Sequence, residues 1–121
     1  MNVLVADDER GFIDFMKERL VLQGHNVDFA YDGREALGMI NTDKYDIVFL
    51  DHNMPELTGL ELIKYIKANN IKAKTVMVTA YSSIMNDFFA KYVGADEYIT
   101  KPVKISELDS IMEKYKTNKA E

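Results

Sequence analysis

The sequence predicts an α/β fold: a five-stranded parallel sheet with helices on both faces. Three observations predict it. Short apolar runs recur along the chain, helically spaced apolar residues follow each one, and the runs end in polar or acidic residues. The clearest run, Ile47-Val48-Phe49-Leu50, reads as a strand buried on both faces, which the middle of a parallel sheet demands. Strands that alternate with helices fold as right-handed crossover units, and such units lie parallel.

The first strand is Val3-Leu4-Val5-Ala6, followed by the acids Asp7, Asp8 and Glu9. Phe12, Ile13, Phe15, Met16 and Leu20 then recur at helical spacing as far as Leu22, and Gly24 supplies the stop. Val27 and Phe29 flank Asp28 as in a strand with one wetter face. Asp32-Gly33-Arg34-Glu35 offers a capping acid with Glu three residues on, opening a short helix through Ala36, Leu37 and Ile40. The third strand runs from Asp46 to Asp51; Pro55 and Gly59 mark an irregular connection to a third helix around Leu60, Ile63 and Ile66, running out near Asn69-Asn70. Val76-Met77-Val78 forms the fourth strand and ends in Thr79-Ala80-Tyr81. Ser82 or Ser83 caps a fourth helix through Met85, Phe88, Phe89 and Tyr92, which Gly94 ends. A last strand near Glu97-Tyr98-Ile99 leads through Thr100-Lys101-Pro102 to a closing helix through Ile105, Leu108, Ile111, Met112 and Tyr115. The polar tail, residues 116–121, is expected to fray.

A chain of 121 residues is long enough for one core and too short for a second, output domain, so residues 1–121 are read as one domain without linker or repeat. With 47% hydrophobic and 29% charged residues it has the composition of a soluble globular protein. No apolar run approaches the length of a membrane span, and the amino terminus lacks the pattern of a secretion signal, so a cytoplasmic location is expected. The absence of cysteine excludes disulfides, thiolate zinc sites and cysteine nucleophiles. A net charge of −5 argues against nonspecific nucleic-acid binding, because no surplus of Lys and Arg is present to displace phosphate counterions.

In a parallel sheet, residues that end different strands converge on one rim. That rim is expected to collect Asp7, Asp8, Asp51, Thr79 and Lys101. Three carboxylates brought together repel, and a bound cation or protonation relieves them. Oxygen ligands suit a hard divalent ion such as magnesium, which keeps several waters and needs few protein groups. A carboxylate beside magnesium can attack phosphorus in line while the metal and an ammonium hold the phosphoryl oxygens. Lys101 offers the ammonium and Thr79 a hydroxyl.

These residues closely resemble the receiver domain of two-component response regulators, over essentially the whole chain and in the expected order. Asp7 and Asp8 match the acidic pair after strand one, Asp51 the phospho-accepting aspartate, Thr79-Ala80 the switch hydroxyl position, and Lys101-Pro102 the lysine and proline after strand five. Met54-Pro55 and Gly59 match the loop after the acceptor, and Tyr98 the aromatic switch position. The resemblance implies a flavodoxin-like receiver fold with strand order 2-1-3-4-5 and a cis peptide between Lys101 and Pro102. It also implies magnesium bound by Asp8 and Asp51 and by the carbonyl of Asn53, with Asp7 assisting directly or through water. The implied function is a switch and not an enzyme: a histidine kinase or phosphotransfer protein phosphorylates Asp51, and the domain promotes only its own phosphorylation and dephosphorylation. Thr79 then moves toward the phosphate and Tyr98 follows inward. A downstream protein reads the surface of the fourth helix, fifth strand and fifth helix. The domain itself is expected to bind neither nucleic acid nor membrane, and to be a monomer or a phosphorylation-dependent dimer. The chain is read as either a free-standing regulator or a piece of a longer one. Asn53 and Tyr81 occupy variable positions associated with phosphoryl lifetime.

Other readings fit less well. A magnesium phosphatase of the haloacid dehalogenase type wants its nucleophile and a second acid two residues apart after the first strand, where this chain has Asp7 and Glu9. A flavin-binding module of similar topology would need a phosphate-cradling loop after strand one, and three acids there repel phosphate. His52 adjoins Asp51, but its only fellow histidine is His25, without ligand spacing, so it is left out of the site. On the fourth helix, Ile84, Met85, Phe88, Phe89, Tyr92 and Val93 cover more of the circumference than a buried stripe of about 100° needs. Phe89 or Tyr92 is therefore a candidate partner contact.

Overall fold

The computed structural model describes residues 1–80 and 94–120. In chain order these form β1 (Asn2–Ala6), α1 (Arg10–Leu22), β2 (Asn26–Ala30), α2 (Gly33–Ile40), β3 (Ile47–Asp51), α3 (Gly59–Ala68), β4 (Lys74–Thr79), β5 (Glu97–Thr100) and α4 (Ile105–Ala120). The helix expected around Met85 to Tyr92, with the candidate contacts Phe89 and Tyr92, lies outside the described residues, as does Tyr81.

All strand pairs are parallel and the order is β2-β1-β3-β4-β5, as expected. The apolar strands serve two cores because successive side chains point to opposite faces. On one face Val3, Val5, Ile47, Phe49, Val76 and Val78 meet Met16 and Leu20 of α1 and Leu108 and Met112 of α4. On the other, Leu4, Ala6, Val48, Leu50 and Met77 meet Ala36 and Ile40 of α2 and Leu62, Ile63 and Ile66 of α3. Every residue of β3 is buried, as its uninterrupted apolar run requires. β2 lies at the edge and is only half-buried, which accounts for Asp28 between Val27 and Phe29.

Local signals set the helix ends. Asp32 caps α2 by accepting a hydrogen bond from the Glu35 amide at 2.7 Å, while the Glu35 carboxylate turns to the Tyr31 amide at 3.2 Å. A reciprocal capping box instead opens α3, where Thr58 and Glu61 accept from each other's backbone amides at 3.2 and 3.1 Å. Gly24 takes φ of +88° just past α1, a conformation that glycine adopts without steric cost. The backbone of α4 is helical through Ala120, across most of the tail expected to fray; lysine and alanine there are good helix formers.

Candidate functional site

The sheet register assembles the site. Ala6 pairs with Leu50, Asp51 with Val78 and Thr79 with Thr100, so the strands finish at one level. The ladder continues a residue past its ends: Asp7 N–H donates to Ala30 at 3.0 Å, His52 N–H to Val78 at 2.9 Å and Lys101 N–H to Thr79 at 2.8 Å. Asp7, Asp51, Thr79 and Lys101 thus lie along one edge although they come from four strands.

At that edge one carboxylate oxygen each from Asp7, Asp8 and Asp51 lie within 4.8 Å of one another. Asp7 and Asp51 are buried and Asp8 is exposed, which leaves the cluster open to solvent on one side. Burial, with the charge of Asp7 next in effect, pushes the Asp51 carboxyl up to about 7; Lys101 and the backbone N–H of Asn53 pull the other way.

Lys101 Nζ reaches across from the end of β5 to stand 2.9 Å from Asp7 Oδ2 and 3.5 Å from Glu9 Oε1. Burial disfavours its charge, but contact with Asp7 and the charges of Asp51, Asp7 and Glu9 outweigh that and raise its pKa. The peptide between Lys101 and Pro102 is cis. Asp7 does two jobs: its Oδ1 accepts from the Glu9 amide at 2.8 Å at the start of α1, while Oδ2 meets Lys101. Among the described residues the buried Oδ2 has no aligned hydrogen bond, its contact with Lys101 being an ion pair in distance only. A buried carboxylate oxygen in that position, among hard oxygen donors, fits a hard divalent cation.

Thr79 and Asn53 stay at this edge, while Tyr98 lies elsewhere on β5. Thr79 is buried at the last position of β4. Tyr98 lies on β5 opposite Met77 and packs against the core formed with α2 and α3, away from the acids; its hydroxyl is buried and has no hydrogen-bond partner among the described residues. Asn53 is exposed and contributes its backbone N–H to Asp51. His52 is half-buried, and burial lowers its pKa.

Sequence reading missed two participants. In the sequence Glu9 groups with the acids, and nothing there pairs it with Lys101. Phe12 reads in the sequence only as one of a helix's apolar residues, yet the Lys101 ammonium lies over its ring, 4.7 Å from the centroid. The spacing of Glu9 and Phe12, three apart at the start of a helix that leaves the acidic rim, is the signal that could have found them.

Residues 3–113 match the family described as the response regulator receiver domain. The chain is 35% identical over 108 residues to response regulator MprA of Mycolicibacterium vanbaalenii, covering 89% of this chain and 47% of that protein. It therefore spans about half the length of the curated relatives it matches. Its structure is similar to that of the Francisella response regulator 1452 receiver domain, with TM-score 0.88 and 36% identity over 97% of this chain and 98% of the other. It is also similar to response regulator protein TrrA of Thermotoga maritima in complex with Mg2+ and BeF, with TM-score 0.83 and 36% identity over 94% and 97% of the two chains.

Proposed function

We propose a magnesium-dependent phosphorylation switch for this chain, which belongs to the response regulator receiver domain family of two-component systems. The observation that carries this reading is the meeting of Asp7, Asp8 and Asp51 at the strand ends, with Lys101 Nζ 2.9 Å from Asp7.

Asp51 is the acceptor. Its oxygen forms a bond to phosphorus as the bond from phosphorus to the donor nitrogen breaks, and the electron pair returns to the donor imidazole of a histidine kinase or phosphotransfer protein. The side chains of Asp8 and Asp51 and the carbonyl of Asn53 would hold magnesium, with Asp7 beside them. Bound there, magnesium supplies positive charge that offsets the acidic cluster and the phosphoryl oxygens. Lys101 brings a second positive charge to the same edge, and Thr79 a hydroxyl donor. The negative charge gained at Asp51 draws Thr79 and Lys101 toward it, and Tyr98 responds to the movement of Thr79, shifting a pre-existing equilibrium. A partner reads the result on the face that includes β5 and α4, where Glu97, Ile99, Ser106 and Ile111 line a groove of about 370 Å³. The protein acts in the cytoplasm and turns over no substrate other than its own phosphoryl group. None of its described helices is long and apolar enough to cross a membrane.

The test is intact mass after incubation with acetyl phosphate, with and without magnesium, for the wild type and Asp51→Ala. One phosphoryl adduct is expected, dependent on both magnesium and Asp51. An adduct that survives Asp51→Ala, or that forms equally well without magnesium, would overturn the assignment.

A further inference from the structure

We propose that Phe12 is a positioning residue for Lys101, its ring face holding the ammonium at the acidic cluster through a cation–π contact. This rests on the phosphorylation reading and adds to it a residue that the acidic cluster does not require.

Among the described residues three groups touch the Lys101 ammonium: Asp7 Oδ2 at 2.9 Å, Glu9 Oε1 at 3.5 Å and the Phe12 ring at 4.7 Å from its centroid. They differ in what they can do during phosphoryl transfer. Asp7 belongs to the cluster that receives the cation, so its hold on Lys101 weakens when its carboxylate gains a second positive neighbour. Glu9 is 63% exposed at the side chain, and exposed ion pairs contribute little. The ring attracts the ammonium electrostatically, yet it adds no negative charge to a site already crowded with acid and takes up no oxygen ligand. Phe12 is thus the one contact of the three that persists through the reaction.

The ring is built to stay where it is. Phe12 is only 8% exposed and belongs to the core shared by α1 and α4. Phe15 braces it, with ring centroids 6.4 Å apart and planes inclined by 35°. Lys101, by contrast, is a long side chain with many rotamers, and reaction requires its charge in one place.

Progressive ring fluorination separates positioning from packing. It drains electron density from the ring face while changing its size little. Phe12 is replaced by 4-fluoro-, 3,5-difluoro- and 3,4,5-trifluorophenylalanine, and by Leu as a control without a ring. Magnesium-dependent phosphorylation by acetyl phosphate is followed by intact mass, with melting temperature recorded for each protein. A graded slowing is expected, reaching about two- to tenfold for the trifluoro ring, at nearly constant melting temperature. A second readout needs no reaction: in the metal-free wild type the Lys101 Hε protons should be shifted upfield by the ring current, and Phe12→Leu should remove the shift. A flat fluorination series in a protein that phosphorylates on Asp51, or a missing upfield shift, overturns the role of Phe12 and leaves the phosphorylation reading standing. Failure of the wild type to take a phosphoryl group on Asp51 overturns both.

Discussion

Gly59 lies in backbone contact with Asp51: a β-carbon at Gly59 would stand 2.4 Å from the Asp51 carbonyl oxygen and 3.0 Å from Met77 Sδ. The first turn of α3 is thereby seated against the end of β3, with the Gly59 amide donating to the His52 carbonyl at 3.3 Å. The position of the proposed acceptor depends on this absence of a side chain.

Gly59→Ala is therefore expected to destabilise the fold by about 1–3 kcal/mol, because the new methyl must displace backbone and not a flexible side-chain tip. It should also slow phosphoryl transfer to Asp51. Gly38→Ala, on the exposed side of α2 with nothing within 4 Å, should stabilise by about 0.5–1 kcal/mol through helix propensity. Urea denaturation of both variants checks the contrast, and effects of the same sign would refute it.

Removing a charge from the acidic cluster should strengthen the metal-free protein. Burial and Asp7 raise Asp51, so its ionised form works against folding. Asp51→Asn is expected to add about 1–2 kcal/mol of stability in metal-free buffer near pH 8. Saturating magnesium should stabilise the wild type more than the variant and so narrow the gap. Denaturation curves with chelator and with magnesium measure both effects; an Asp51→Asn protein weaker than wild type in chelator would contradict the repulsion account.

The Tyr45 hydroxyl donates to Asp28 Oδ2 at 2.6 Å, and Lys44 Nζ lies 3.2 Å from the same oxygen. The hydrogen bond from Tyr45 leads the causes that hold the Asp28 carboxyl below its ordinary value, with burial opposing and Lys44 assisting. A carboxyl depressed in the folded state contributes stability that is complete above its unfolded pKa and is lost as pH falls through the folded one. Tyr45→Phe should thus cost about 1 kcal/mol at pH 7, and the difference from wild type should shrink below pH of about 4. A difference that stays constant down to pH 2 would contradict this.

Thr75 ties β4 to the residue before β5. Its amide and hydroxyl donate to Asp96 Oδ2 at 2.8 and 3.2 Å, and its hydroxyl accepts from the Asp96 amide at 3.1 Å. The side chain is fully buried, so Thr75→Val keeps the shape and strands the partners of the hydroxyl. A loss of about 1–3 kcal/mol is expected in urea denaturation with an unchanged slope.

Much of this was legible in the chain. The uniform burial of β3 follows from four apolar residues in a row, and the half-buried edge strand from the single Asp28 in its middle. The cap at Asp32 was visible, but Glu35 reaches Tyr31 and the reciprocal box belongs to Thr58 and Glu61, a pair the sequence reading did not single out. Spacing proposes such a box; the path of the preceding residue decides whether the return hydrogen bond closes.

Residue order alone specifies the alternation of strands and helices, the strands that must be buried on both faces, and the polar residues placed at strand ends. These depend on periodicity within short segments, which local chemistry controls. The assembled fold is what brings Lys101 to Asp7 and Glu9, lays Phe12 beneath that ammonium and sets Gly59 against Asp51. Those contacts depend on strand register and on where each crossover returns the chain. They are fixed by the summed packing of both faces of the sheet, to which no single segment holds the key.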